Sequence, residues 1–162
     1  MTDPLSPERI AALPYRPNVG ICLTDGAGRV WAGERLDTPG AWQMPQGGVD
    51  AGEAPEAAAL RELEEEVGLP ASAVRVVARL AEPVSYDFPP ELVGKVAKGR
   101  FRGQRQDWFL MEHRGPDSAI DITRHPREFA RWRWMSGPEL AGSIVGFKRG
   151  VYARVLAEFG LM

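Results

Sequence analysis

A mixed β-sheet covered by helices, an α/β fold, is the architecture that this sequence of 162 residues predicts. Three observations lead there. The length suits one domain built around a single core. Strand-like and helix-like segments are interspersed without the strict alternation that an all-parallel sheet would show. One segment, residues 53–67, carries the marks of a helix: Pro55 in its first turn, the run Ala57-Ala58-Ala59-Leu60, and Gly68 and Pro70 at its end.

The other elements follow in chain order. Residues 1–14, with Pro4, Pro7 and Pro14, read as a loosely ordered leader with room for one helical turn, and residues 15–162 as a single domain. Residues 19–24 are apolar and β-branched and end at the turn Asp25-Gly26-Ala27-Gly28; residues 29–34 resume, so the pair reads as a hairpin. Residues 42–44 form a short strand stopped by Pro45 and Gly47-Gly48. Residues 74–80 and 106–112 read as strands. Between them, residues 82–105 hold Pro83, Pro89, Pro90 and several glycines, and read as a long loop of the kind that is more often functional than idle. Residues 131–135 alternate basic side chains with Trp132 and Trp134, as a half-buried strand does. Residues 147–159 read as a closing amphipathic helix with Val151, Val155 and Phe159 on one side.

Composition excludes several classes. With 44% hydrophobic and 26% charged residues, the chain is ordinary for a soluble globular protein. No window reaches the roughly 18 apolar residues of a membrane span. The first residues contain an acid and no apolar stretch, so they do not form a secretory signal. The single cysteine, Cys22, allows no internal disulfide and no cysteine-based zinc site, and a reducing cytoplasm is the expected home. The net charge of −2 is unevenly spread. Between Gly47 and Leu69 stand Asp50, Glu53, Glu56, Glu62, Glu64, Glu65 and Glu66 against Arg61 alone, so the remainder of the chain is basic. An acidic knot in a basic surround suits cations held beside a polyanion.

On a helix at about 100° per residue, Leu60, Leu63 and Val67 share one narrow face and must pack on the sheet. Glu62, Glu65 and Glu66, spaced i, i+3, i+4, fall in a neighbouring arc, where like charges repel. A hard divalent cation compensates for that repulsion: Mg²⁺ takes oxygen ligands from a few carboxylates, waters and substrate phosphates. A merely solvated acidic face is the commoner explanation of a Glu-rich helix. It explains neither the Gly47-Gly48 loop before the helix nor the placement of Arg61.

These residues carry a resemblance. The run GGVDAGEAPEAAALRELEEEVGL, starting at Gly47, is similar to the Nudix box, and each specified position of that motif is filled here by Gly47, Glu53, Arg61, Glu62, Leu63, Glu65, Glu66, Gly68 and Leu69. The likeness implies a three-layer α/β/α sandwich with a mixed sheet, in which the loop–helix–loop is a metal platform. It implies Glu62, Glu65 and Glu66 as main ligands of Mg²⁺ or Mn²⁺, in more than one ion, with the Gly47 carbonyl as an additional ligand. Glu53 and Arg61 would brace loop against helix, and Arg61 is counted with the catalytic set for that reason. The general base varies within the family; Glu62 is the first choice here.

The resemblance extends beyond the box, through Tyr15-Arg16-Pro17-Asn18-Val19-Gly20, Trp42-Gln43-Met44-Pro45-Gln46, Trp108-Phe109-Leu110, Glu128-Phe129 before Trp132-Arg133-Trp134, and Phe147-Lys148-Arg149-Gly150-Val151-Tyr152. These look like the branch that contains the bacterial RNA pyrophosphohydrolases and the dinucleoside polyphosphate hydrolases. By that likeness Glu128 is a further metal ligand or an alternative base. Arg16, Arg35, Tyr86, Phe147 and Lys148 match positions that contact base or phosphates, which suits guanidinium and ammonium groups on phosphate and aromatic planes on bases. Phe147 reads equally well as core, and Arg35 as a solvated hairpin residue. Cys22, His113 and His125 read as structural or surface residues, because no partner completes a nucleophile or zinc constellation.

The expected activity is metal-dependent hydrolysis of a phosphoanhydride, removing pyrophosphate from 5′-triphosphate RNA, splitting diadenosine tetraphosphate asymmetrically, or both. Alternatives are another nucleoside-diphosphate-linked substrate, and a non-catalytic domain that senses nucleotides or binds RNA. Tyr86-Asp87-Phe88-Pro89-Pro90 looks more like the dinucleoside hydrolases. Neither a membrane nor DNA is expected as a partner.

Overall fold

The computed structural model describes residues 5–144 and 146–162; of the leader, residues 1–4, Pro4 among them, lie outside the described residues. The fold is built on the strand β1 (Tyr15–Thr24), which runs beside β7 (Gly103–Glu112) in a parallel ladder from Tyr15 opposite Gly103 to Thr24 opposite Glu112. Every other pairing is antiparallel. β2 (Val30–Arg35) joins β1 and is flanked by β3 (Trp42–Gln43) and β8 (Phe129–Met135). β5 (Arg75–Arg79) and β6 (Val84–Asp87) both pair with β7, and β4 (Gln46–Gly48) pairs with β1. The eight strands make one mixed sheet.

Alternation along the strands feeds two cores. Val19, Ile21 and Leu23 of β1 face Ala58, Ala59, Leu63 and Val67 of α2 (Pro55–Val67). On the opposite side, Cys22 and Trp108 meet Leu140 of α4 (Gly137–Ser143) and Tyr152, Val155 and Leu156 of α5 (Arg149–Glu158). Helix, sheet and helix pair stack as a three-layer α/β/α sandwich. The tight face contact at Gly20 belongs to the second core: a Cβ there would lie 2.6 Å from the ring of Trp108, itself 1% exposed. Gly20→Ala is expected to destabilise the fold by about 1–3 kcal/mol through overpacking, a fall in Tm of roughly 3–10 °C. Thermal unfolding checks it; an unchanged Tm would mean that the ring yields freely.

Several boundaries differ from the sequence expectation, each for a local reason. The leader holds α1 (Pro7–Ala11), capped by the Ser6 hydroxyl, which accepts from the Arg9 N–H at 3.2 Å. Leu5, Ile10 and Leu13 pack on the core, so this segment is docked rather than loose. Gln46–Gly48 is a strand, although Pro45 and two glycines are residues that ordinarily end one. Pro45 lacks a donor but its carbonyl accepts from the Ile21 N–H at 2.9 Å, so the ladder passes through it. The stretch expected as one long loop contains β6, then α3 (Pro90–Val93), then a turn at Ala97–Gly99. Helix α4 has no counterpart among the elements expected from the sequence, and Gly137-Pro138 at its start would ordinarily break a helix. Ser136 instead caps it, accepting from the Glu139 N–H at 3.2 Å, with proline in the first turn where its missing N–H has no consequence. The glutamate-bearing helix starts at Pro55 rather than Glu53, and the last helix at Arg149, after a 3₁₀ turn at Gly146–Lys148.

Candidate active site

Helix α2 is aimed by its own ends. Pro55 starts it, and Gly68 stops it in the left-handed conformation, φ 80°, where a Cβ would lie 2.6 Å from the Asp121 carbonyl oxygen. The Asp121 N–H donates to the Val67 carbonyl at 2.8 Å and the Arg124 guanidinium to the Gly68 carbonyl at 3.0 Å. The end of the helix is thereby stitched to the segment that carries Glu128. With Leu63 and Val67 pressed into the sheet, Glu62 and Glu66 turn toward β4, and Glu66 is 7% exposed. The Gln46 N–H of β4 donates to the Glu66 carboxylate at 3.2 Å.

Arg61 holds the preceding loop against this helix. Its guanidinium donates to Glu53 at 2.9 and 3.0 Å, to Glu62 at 2.9 Å and to the Gly48 carbonyl at 2.9 Å, and it lies 3.5 Å from Glu65. The hydrogen bond from Arg61, reinforced by the Asp50 N–H, pulls the Glu53 carboxyl down to about 2. Glu53 in turn drives the Arg61 pKa upward. Arg61 therefore braces the platform and does not line the cavity in front of it.

That cavity, about 290 Å³, has an acidic wall of Glu62, Glu66 and Glu128, a basic wall of Arg16 and Arg35, and a polar floor that includes Asn18, Gln46 and Gln104. Burial raises the Glu66 pKa well above the ordinary carboxylate range, and Glu128 and Glu62 push it further. Burial also raises Glu62, against the pull of Arg61 and with Glu65 and Glu128 adding to the rise. Glu128 is exposed, yet its position is fixed by the Leu36 N–H, which donates to its backbone carbonyl at 2.9 Å beside the bulge at Glu34/Arg35. The surface partners available to it are engaged elsewhere: Arg131 binds Glu34 at 3.1 Å and Arg124 binds Gly68.

Crowded carboxylates with raised pKa values and hard oxygen donors fit a divalent cation. Gly47 adds to the fit, since a Cβ there would collide with the Glu62 carboxylate, so only glycine lets the loop backbone lie against it. Among the described residues no three His, Cys, Asp or Glu side chains converge as a ready cage. Glu62 leans on Arg61, and Glu65 lies outside the cavity, 3.5 Å from Arg61 and 3.9 Å from His125.

The expected substrate contacts are placed unequally. Arg16 faces the cavity directly. Arg35 reaches it while gripping Asp37 at 2.7 and 2.8 Å. Phe147, 37% exposed, is not core; its ring centroid lies 6.0 Å from that of Tyr86, and the Lys148 ammonium lies 5.9 Å from the Phe147 centroid. Burial, with Arg35 nearby, lowers the Lys148 pKa to about 8. Tyr86 is buried, donating to Gln104 at 2.8 Å, so it supports the floor instead of presenting its ring.

Sequence reasoning missed that floor. Gln106 donates to Asn18 at 2.9 Å and to Gln46 at 3.4 Å and accepts from the Trp108 indole at 3.2 Å. A signal was present: Gln104 and Gln106 share the inward parity of Trp108, and buried amides on a strand must be paired with something.

With this geometry in view, the comparisons with known proteins are specific. The NUDIX domain profile matches residues 14–155. The RNA pyrophosphohydrolase of Roseobacter denitrificans is 54% identical over 157 residues, covering 96% of this chain and 98% of that one. Its counterpart from Cereibacter sphaeroides is 51% identical over 158 residues, covering 97% and 94%. Among solved structures, the E. coli dihydroneopterin triphosphate pyrophosphohydrolase superposes with a TM-score of 0.69 at 22% identity, over 90% of this chain and 99% of that one, which shows a shared fold. Family profile, near-full-length relatives and fold agree, and the chain belongs to the Nudix hydrolases, enzymes that cleave phosphoanhydride bonds.

Proposed function

We propose that this chain removes pyrophosphate from the 5′-triphosphate end of RNA, using a divalent metal. The observation that carries the reading is the single cavity in which Glu62, Glu66 and Glu128 face Arg16 and Arg35. Near-full-length relatives named RNA pyrophosphohydrolase support the choice of substrate. Glu62, Glu65, Glu66, Glu128 and the Gly47 carbonyl would hold Mg²⁺ or Mn²⁺; when bound, such ions neutralise non-bridging phosphate oxygens and make water more acidic.

The residues of the chain do the rest. Arg16 and Arg35 bind and orient the phosphates, giving charge-assisted hydrogen bonds at fixed angles. The Glu62 Oε1 is engaged by Arg61, which leaves Oε2 to take the proton of the attacking water. The bond between the α- and β-phosphates breaks, the water oxygen stays on the RNA end as a monophosphate, and pyrophosphate leaves.

The run starting at Tyr86 is the feature of the sequence that favours dinucleoside polyphosphates. Asp87 in that run binds Arg102 at 2.9 and 3.2 Å and does not line the cavity. The proposed location is the cytoplasm, to which the buried, unpaired Cys22 is suited; no helix among the described residues is long and apolar enough to cross a membrane.

Turnover of a triphosphorylated oligoribonucleotide and of diadenosine tetraphosphate, measured after exhaustive chelation and after adding back Mg²⁺ or Mn²⁺, tests the reading. Activity is expected only with metal and in favour of the RNA. Full turnover without metal, or cleavage of the dinucleotide alone, would sink it.

A further inference from the structure

A second cavity opens beyond the first. It has a volume of about 310 Å³ and is lined by Arg16, Lys98, Arg100 and Phe101. Arg16 also lines the cavity of the acidic wall, so the two volumes share one residue. The lining contains no acid. Among the described residues, none of Arg16, Lys98 and Arg100 has a carboxylate oxygen within 4.0 Å. The neighbouring Arg102 differs: it is tied to Asp87 at 2.9 Å and lies over the ring of Tyr15. The groove also lies in a stretch of one sign, since Lys95, Lys98, Arg100, Arg102 and Arg105 are present between Glu91 and Asp107 with no acid among them.

The backbone sets the direction of these cations. Lys98 adopts a left-handed conformation, φ 59° and ψ 30°, and Gly99 follows at φ 71°. A lysine is an uncommon residue for that region, and here it turns the loop between α3 and β7 so that Lys98, Arg100 and Phe101 border one hollow. Arg102 and Asp87 then fasten the loop to β6. Like-charged side chains gathered on one hollow repel one another unless a polyanion lies between them.

We infer that this groove is a binding site for the RNA chain downstream of the triphosphate, with Lys98 and Arg100 on internucleotide phosphates and Phe101 as a stacking surface for a base. The inference rests on the proposed function and deepens it by assigning the part of the substrate that a nucleoside triphosphate lacks. A triphosphate end held between Glu66 and Arg16 has the groove on the far side of Arg16, where only a longer chain reaches. Cations spaced along a groove with an aromatic ring among them are the usual means of holding a single strand without reading its sequence.

The test compares the wild-type protein with Lys98→Asn/Arg100→Gln. Asn tolerates the left-handed backbone at position 98, and both residues are exposed, so the melting temperature should be unchanged; Arg100→Gln alone serves if it is not. For a triphosphorylated hexaribonucleotide the double variant is expected to raise KM about 10-fold with kcat unchanged. For ATP, which is too short to reach the groove, KM should not change. The salt dependence of KM for the hexamer should also weaken, by about 0.7 in log–log slope for each phosphate that the variant no longer neutralises. An unchanged KM for the hexamer, or an equal rise for ATP, overturns the assignment. So does an equal rise for diadenosine tetraphosphate, which would place a second nucleoside in the groove instead. Fluorescence anisotropy of a 5′-monophosphorylated hexaribonucleotide separates this inference from the proposed function. If wild type does not hydrolyse triphosphorylated RNA, the proposed function fails, while weaker hexamer binding by the variant still supports the groove and equal binding rejects it.

Discussion

Glu66→Gln is expected to lower kcat at least ~10²-fold, the scale of removing a major electrostatic contributor, while leaving the fold as stable as before or more so. The two halves have one cause. Glu66 is buried beside Glu128 and Glu62, and its pKa is raised well above 4.5. For an acid whose folded pKa lies above its unfolded value, the unfavourable contribution is absent below the unfolded pKa and grows as the pH rises past it. The neutral amide removes that contribution, so the stability advantage of the variant should widen as the pH rises above 4.5. Divalent metal should reverse the order. An ion at a hundred times its Kd stabilises the folded wild type by about 2.7 kcal/mol, roughly 5–10 °C in Tm for a chain of this size, and the variant should gain much less. Thermal melts with and without Mn²⁺, beside initial rates, check all of this. Near-wild-type turnover at saturating metal would remove Glu66 from the metal site.

Glu128→Gln is expected to give a comparably large fall in turnover with Tm nearly unchanged. The carboxylate is exposed, and the hydrogen bond that positions the residue is made by its backbone carbonyl, which the substitution retains. If Glu128 were a surface residue, its removal would resemble the loss of an exposed ion pair, worth little; but Arg131 and Arg124 are bound elsewhere. Rates measured against pH and metal concentration separate its roles. Rescue by high metal marks a ligand, and rescue by high pH, where hydroxide substitutes for an assisted water, marks a base. A rate equal to wild type would leave Glu62 as the sole candidate for the base.

What the sequence disclosed, and what it withheld, follow from the range of the forces involved. Helix α2 was legible because its signals are local: proline at the first turn, a left-handed glycine after the last, and a 3.6-residue apolar stripe between them. The platform glutamates were legible for the same reason, as positions on one helix. Strand β4 was hidden because Pro45, Gly47 and Gly48 carry strong local turn preferences that pairing with β1 overrides. Helix α4 was hidden behind Gly137-Pro138, where the cap at Ser136 was the decisive residue. Glu65 shares the Arg61 Nη1 with Glu62 and lies near His125, outside the cavity that Glu62 and Glu66 line. That choice depends on how the helix is rotated against the sheet, which spacing alone does not determine. Tyr86 matched a substrate-contacting position, but the alternation of β6 turns it inward onto Gln104. The amide floor of Asn18, Gln46 and Gln106 joins three strands, and its one local signal is the inward parity that Gln104 and Gln106 share with Trp108 on β7.

The parallel ladder between β1 and β7 has a consequence for how the enzyme comes to life. Asn18 and Gln106, joined in the floor of the cavity, are separated by 88 positions along the chain, and the walls draw on residues from Arg16 to Glu128. Contacts of such high order form slowly, because a long stretch of chain must be closed before they are rewarded. On a translating ribosome, β1 waits without its central partner until β7 has emerged, and Glu128 follows later still. Both arginines of the basic wall and the glutamate helix are made before β7, so the site first has its two walls without the strand that carries its floor, and the acidic wall lacks Glu128. The cavity is whole only when Glu128 and the strand β8 that follows it have been made.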